Sequence, residues 1–337
     1  MVVAHKIRGV VWAVIVCVMW ADPCVAAEKV RLAIPATALS MMPVYLAQGL
    51  GLFTEEGLEV EGLATQGGGL ELKAVVAGQV DFAFTSGDTV LAAYQEGQRP
   101  VMVFSGLNRP IVNWAMHKDV AMLRGLTASS PLDQKFRGLK GLTIGLDQRG
   151  ALSQHLAQYA LRKVGLDPST DCKLVSLGFG SDWLTKLENR RADVALGVVP
   201  LPEVVVARGS AILLVDNARG EDPAFPEFLM GNLVARRDYP ERNPGRARKM
   251  VRAMYRANRW ALTHPPEAVA EALQPFLSRV EPSALLDGVK AVLPALTPHG
   301  RTTERAVEVT EEFLQKAGVL KKKASYPEIV VNDYVPG

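Results

Sequence analysis

The chain has 337 residues, 48% of them hydrophobic and 22% charged, with a formal net charge of +3. That length accommodates two lobes of ordinary domain size, and the balance of residues is that of a globular protein. So small a positive excess gives no electrostatic footprint for nucleic acid, and it leaves a small anionic ligand open.

The first 27 residues read as an export signal. Lys6 and Arg8 form a positive start, an apolar run follows over residues 10–20, and Val25-Ala26-Ala27 supplies small residues at cleavage spacing. The pattern predicts a cut after Ala27 and a mature chain that works outside the cytoplasm, in the periplasm, away from cytosolic ATP and NAD. The cut removes Cys17 and Cys24, so Cys172 stands alone and no disulfide forms within the mature chain. Cys172 reads as a packed thiol just before or inside a strand.

In the mature chain, strands and helices alternate. Residues 30–34 read as a strand and 43–50 as a helix, with Pro43 tolerated in its first turn. Residues 57–61 alternate like a short strand. The triplet Gly67-Gly68-Gly69 precedes a helix over 70–77, which Gly78 closes. A strand over 80–84, a helix over 89–96 and an apolar strand over 101–105 complete one unit. The pattern restarts near residue 140, with strands over 142–146, 173–177, 192–196 and 212–215 separated by helices over 152–164, 182–189 and 202–208. Strands separated by single helices predict parallel, doubly wound α/β units. After Gly231 the pattern turns helical, over 244–262, 267–277 and 303–317.

The two units repeat one architecture. Asp81 and Asp193 each sit in a short apolar strand after an amphipathic helix, and both read as turn residues rather than ligand contacts. The helix over 244–262 carries Met250, Met254, Ala257 and Ala261 on one side and Arg248, Arg252, Arg256 and Arg259 on the other. The basic stripe reads as a solvated face.

No catalytic constellation appears in the pattern, neither a Gly-x-Ser-x-Gly elbow nor a phosphate loop. His117, His155, His264 and His299 lie far apart and lack metal-ligand spacing. The reading is therefore of binding without covalent chemistry, cofactor or metal. Open parallel sheets bind ligands beyond the carboxyl ends of their strands. Four places meet that description. Ser40 and Met41 follow the first strand, Gly68 lies in the glycine triplet, and Thr85 and Ser86 follow the strand over 80–84. Gly150, Ala151 and Ser153 open a helix after the strand over 142–146, where free N–H groups favour anions. The beginnings of helices on both units predict a shared cleft. Arg149, beside Gly150, reaches either an acidic ligand or solvent. Trp183 either stacks on a planar ligand or packs in the core. Asn108, Trp114 and Asn232 lie near the two expected inter-lobe crossings, in hinge or cleft.

The segment Pro43-Val44-Tyr45-Leu46-Ala47-Gln48-Gly49-Leu50-Gly51-Leu52-Phe53-Thr54-Glu55-Glu56-Gly57-Leu58-Glu59-Val60 resembles the periplasmic solute-binding proteins of ABC importers for nitrate, sulfonate and taurine, with the thiamine-pyrimidine-like (NMT1/THI5-like) binders among them. Residues 77–83, 136–142 and 150–167 support the resemblance. It implies the two-lobe periplasmic binding protein fold (type II), with lobe 1 formed by residues 28–115 plus 235–337 and lobe 2 by 116–234. A cleft between the lobes closes on ligand about two hinge crossings. It implies a monomer that captures a small organic anion (sulfonate, carboxylate or nitrate-like) or a planar heterocycle. The partner is a membrane permease with its cytoplasmic ATPase. The Cys-rich and His motifs of the pyrimidine-making enzymes are not recognisable. An exported sensory module and an enzyme of the same fold are the alternatives.

Overall fold

The computed structural model describes residues 27–35, 38–65, 67 and 69–336. Apart from Ala27, the expected export signal lies outside the described residues, as does Gly68.

Ten strands build two sheets: β1 (Glu28–Ile34), β2 (Leu58–Ala64), β3 (Phe82–Thr85), β4 (Pro100–Leu107), β5 (Val112–His117), β6 (Thr143–Leu146), β7 (Lys173–Ser176), β8 (Val194–Val198), β9 (Ala211–Val215) and β10 (Gly231–Arg236). The first sheet has the order β2-β1-β3-β10-β4 and the second β7-β6-β8-β5-β9. In the first, β1 runs parallel to β2 and β3, while β10 runs antiparallel to β3 and β4. In the second, β6 runs parallel to β7 and β8, while β5 runs antiparallel to β8 and β9. The expectation of parallel, doubly wound units is thereby corrected at β5 and β10, which run antiparallel to their neighbours. In each sheet the antiparallel strand is the stretch of chain that has just crossed from the other lobe.

Neither β5 nor β10 is visible as a strand in the sequence pattern. Both lie inside their sheets and are buried almost throughout, so they lack the alternation that marks a half-exposed strand. Since β5 already starts at Val112 and β10 at Gly231, the sheets are joined by residues 108–111 and 216–230. The expected boundaries at 115/116 and 234/235 fall inside these two strands.

The repeat around Asp81 and Asp193 has a common geometry. The backbone N–H of Arg31 donates to Asp81 Oδ2 at 2.8 Å, and that of Thr143 donates to Asp193 Oδ2 at 2.8 Å. In return the Asp81 and Asp193 N–H groups donate to the Arg31 and Thr143 carbonyls. Each aspartate thus ties the start of one parallel strand to its neighbour.

The helix Pro244–Thr263 buries Met250, Met254, Ala257 and Ala261. Its basic side is largely paired. Arg252 Nε donates to Glu56 Oε2 at 2.6 Å, Arg256 reaches Glu55 at 2.5 Å, and Arg246 and Lys249 hold Glu28. These contacts clamp the short helix Leu52–Glu55 and the first residue of β1, a role that the reading of a merely solvated stripe lacks. Cys172 is half-buried, donates to the Leu139 carbonyl and has its thiol pKa raised by burial, as a packed thiol should.

The two lobes also share a core beside the crossings. Tyr159 of the helix Leu152–Lys163, Phe225 and Phe228 of the second crossing, and Phe313 of the helix Glu304–Lys316 pack with ring centroids 5.4–5.5 Å apart. Next to them, His155 Nδ1 lies 2.7 Å from Asp88 Oδ2, both groups being buried. Asp88 belongs to the helix Gly87–Gln95 of the first lobe, so this contact spans the lobes.

Candidate functional site

Between the sheets lies a cleft of about 640 Å³, its open mouth included. The first lobe contributes the carboxyl ends of its parallel strands. Pro35, Ala38, Ser40 and Met41 follow β1, and Thr85, Ser86 and Thr89 follow β3. The second lobe contributes Val112, Asp147, Ala151, Leu152, Phe179 and Val198, most of them just past β6, β7 and β8. Strand ends of both sheets thus face one space, as open α/β sheets arrange their ligand sites.

Two carboxyl groups stand in its wall beside the hydroxyls of Ser40, Thr85, Ser86 and Thr89. Glu71 opens the helix Leu70–Val76 and is 2% exposed. Thr85 Oγ1 donates to Glu71 Oε1 at 2.6 Å, and Thr65 Oγ1 reaches Glu71 Oε2 at 3.3 Å. This carboxylate is therefore held by hydroxyls of its own lobe. Asp147 differs. It follows β6 directly, is 3% exposed, and its Oδ1 has no hydrogen-bond partner. Burial pushes its pKa up to about 7, against the opposing pull of the Ser153 hydroxyl. A buried carboxyl oxygen without a partner is costly, and such atoms mark candidate places where a ligand supplies the missing donor. No Lys, Arg or His is found among the described residues lining this chamber.

The cleft also has an aromatic wall. Phe179 follows β7 between Gly178 and Gly180, both with positive φ. It meets the first lobe at Gly67, where a methyl would sit 2.8 Å from the ring. Gly67 itself has φ +77°, a conformation that L side chains rarely adopt.

The family model described as "NMT1/THI5 like" matches residues 39–268.

The chain belongs to the NMT1/THI5-like family.

Among its relatives, YtlA of Bacillus subtilis (strain 168) is 24% identical over 309 residues, covering 90% of this chain and 87% of YtlA. The riboflavin-binding protein RibY of Chloroflexus aurantiacus is 27% identical over 318 residues, covering 89% of this chain and 83% of RibY. Among solved structures, the alkanesulfonate-binding protein SsuA from Xanthomonas axonopodis pv. citri, bound to MOPS, is similar with a TM-score of 0.69. That likeness spans 91% of this chain and 100% of SsuA at 18% identity, and it shows the shared two-lobe fold.

In this NMT1/THI5-like chain, Ser40, Met41, Thr85, Ser86 and Ala151 line the cleft. Apart from Gly68, which lies outside the described residues, the others of the sequence-derived set do not line it. Gly150 sits one residue outside the wall, exposed, with its N–H donating to Gln154 Oε1 at 2.9 Å. Ser153 is buried behind the wall, where its Oγ accepts the Asp147 N–H at 3.1 Å. Trp183 is fully buried in the second lobe, and its Nε1–H donates to the Leu196 carbonyl at 2.7 Å. Of its two readings the structure selects core packing, with Gly197 leaving room for the indole. Asn108 belongs to the crossing, bonded through its backbone to Ala295 and Phe228. Asn232 is buried in β10 opposite Thr85, with neither side-chain polar atom paired. Arg149 is exposed and does not line the cleft. Among the described residues no group of three His, Cys, Asp or Glu side chains is arranged to hold a metal ion.

Sequence reasoning missed Glu71, Asp147 and Phe179. Asp147 was the most accessible of the three, since it stands between a clear strand and the helix start singled out at Gly150. An acid at that place follows the carboxyl end of a parallel strand, where open α/β sheets bind their ligands.

Proposed function

We propose that this chain is an exported solute-binding protein that captures a planar, nitrogen-bearing heterocycle between its lobes. It releases the unaltered solute to the permease of an ABC importer, whose ATPase lies in the cytoplasm. It works in the periplasm as a monomer, without turnover. The observation that carries the choice of ligand is Asp147. Oδ1 of its buried carboxyl, at the end of β6, has no hydrogen-bond partner and calls for a donor such as a ring N–H or an exocyclic amine. Phe179 offers an apolar ring face beside it. The name of RibY, a riboflavin-binding protein, points to the same class of solute.

A second reading keeps the small anion. It is favoured by the fold shared with SsuA, named an alkanesulfonate-binding protein, and by the helix start at Ala151–Leu152 in the cleft wall. The two are separated by a thermal-shift screen of the mature chain from Glu28, with aminopyrimidines and flavins set against alkanesulfonates, taurine and nitrate. A ligand that binds only the folded state raises the melting temperature with its concentration. The proposal expects the heterocycles to do so and the simple anions not to. Stabilisation by the simple anions alone would favour the second reading, and consumption of a ligand during incubation would favour an enzyme.

A further inference from the structure

The cleft opens into a second space. Phe179, with Ala38, Asp147 and Val198, lines the cleft described above and also borders a mostly apolar chamber of about 1250 Å³, its opening included. Phe179 therefore stands between an inner space walled by Glu71, Thr85 and Ser86 and an outer one walled by Leu184, Leu201, Phe276 and Val280.

The same ring bridges the lobes. It belongs to the second lobe, yet its edge lies so close to Gly67 of the first that a methyl there would sit 2.8 Å from Cζ and 3.2 Å from Cε2. Side-chain carbons essentially never approach under 3.0 Å, so the missing Cβ of Gly67 is what gives the ring its seat. Pro35, just after β1, borders that seat. Gly67 lines the inner space and not the outer one. On its own lobe the ring is carried by a segment with a fixed base. The Gly178 N–H donates to the Asp147 carbonyl at 2.9 Å. Gly178 has φ +89°, and Gly180 has φ +57° with ψ −126°. Glycine adopts such conformations at little steric cost, and a glycine on each side gives the Phe179 backbone freedom to turn. Residues of this kind, at the end of an element, absorb the backbone changes of domain closure.

We propose that Phe179 is the gate of the inner space. Its ring, seated against Gly67 of the opposite lobe, shuts that space from the outer chamber. A solute short enough to lie behind the ring is trapped. A longer one holds the ring off its seat, reaches into the outer chamber and loses the contact that closes the site. Phe179 thus sets a preference for compact solutes, and release requires the ring to leave Gly67. Gate and seat lie on different lobes, so their contact belongs to the closed complex and acts on dissociation more than on encounter. This deepens, and rests on, the heterocycle reading above.

The test measures affinity by calorimetry and dissociation by stopped flow on the mature protein. The compact probe is 4-amino-5-hydroxymethyl-2-methylpyrimidine and the extended one is riboflavin. The wild type should hold the pyrimidine more tightly than riboflavin. Phe179→Ala should speed pyrimidine dissociation about tenfold or more and narrow that preference. Phe179→Leu keeps an apolar wall but is too short to reach Gly67, and it should behave in the same way. The deciding comparison is Gly67→Ala made in both backgrounds. In the wild type it should speed dissociation about tenfold, and in Phe179→Ala about twofold or less, because only groups in contact depart from additivity. The strain of a side chain at φ +77° is present in both backgrounds and drops out of the comparison. Melting temperatures establish that the variants are folded. Equal effects of Gly67→Ala in the two backgrounds, or tighter binding of riboflavin than of the pyrimidine by the wild type, overturn the gate while leaving the heterocycle site standing. Failure of both probes to bind folded protein overturns the heterocycle reading and this inference together.

Discussion

Replacing Asp147 with Asn should stabilise the empty protein at alkaline pH and weaken its hold on ligand. The folded-state pKa of Asp147 is about 7, against an ordinary 3.8, because burial disfavours the charged form. The raised value fixes the sign. Between these two pKa values the folded chain keeps a proton that the unfolded chain has lost. The aspartate is thus harmless below about pH 4, and its destabilisation grows as pH rises and is complete above about pH 7. The gap of about three units corresponds to about 4 kcal/mol, of which about 3 kcal/mol develops between pH 5 and pH 8. Urea unfolding of ligand-free wild type and Asp147→Asn at those two pH values measures it. Glu203 and Glu311, also pushed up by burial, contribute equally to both proteins, so the difference isolates Asp147. The variant should gain about 3 kcal/mol on the wild type between the two pH values. It should also bind ligand about tenfold to a hundredfold more weakly, since a hydrogen bond to a charged acceptor contributes about 1.5–3 kcal/mol. Parallel pH dependences for the two proteins would refute the reasoning.

Three further outcomes are expected. Ser153→Ala leaves the buried Asp147 N–H without its acceptor and should destabilise by about 1–3 kcal/mol. Combined with Ser86→Ala it should also lower ligand affinity, and unchanged affinity in a binding titration of the pair contradicts the site. Trp183→Ala empties a buried site and should destabilise by about 3–5 kcal/mol in denaturant unfolding, while ligand affinity of the folded fraction stays near that of the wild type. Asp88→Ala removes the partner of His155 across the lobes and should cost about 1.5–3 kcal/mol. Small-angle scattering should then show a more open ensemble without ligand, and an unchanged profile would remove the inter-lobe role.

Much of the fold is legible because its signals are local. Pro43 within the first turn of the helix Met42–Gly49, Gly165 after the helix Leu152–Lys163, and the apolar runs of β3, β6 and β9 are read directly from neighbouring residues. What escapes is what depends on the other lobe. The strands β5 and β10 carry Asn113, His117 and Asn232 within buried stretches, and only their central place in the sheets makes strands of them. The helix Pro282–Val292 was missed as well. Gly288 weakens its helical pattern, yet a methyl there would come 2.6 Å from Leu39 and 3.1 Å from Pro200, so the glycine allows close approach of both lobes.

The site was half legible for the same reason. Ser40, Thr85, Ser86 and Ala151 follow from a rule about strand ends that needs no tertiary knowledge. Glu71 and Asp147 matter through burial and through the partners they have or lack, which a sequence does not display. Trp183 looks like a stacking residue at a helix start, but the chain turns it inward against Gly197.

The most direct test of the account is a crystal structure of the mature protein with the heterocycle that stabilises it most. The account predicts a nitrogen donor of the ring about 2.7–3.0 Å from the Asp147 carboxyl, with the ring against Phe179. A ligand held in the cleft through an anionic group, with Asp147 Oδ1 left without a donor, would contradict it.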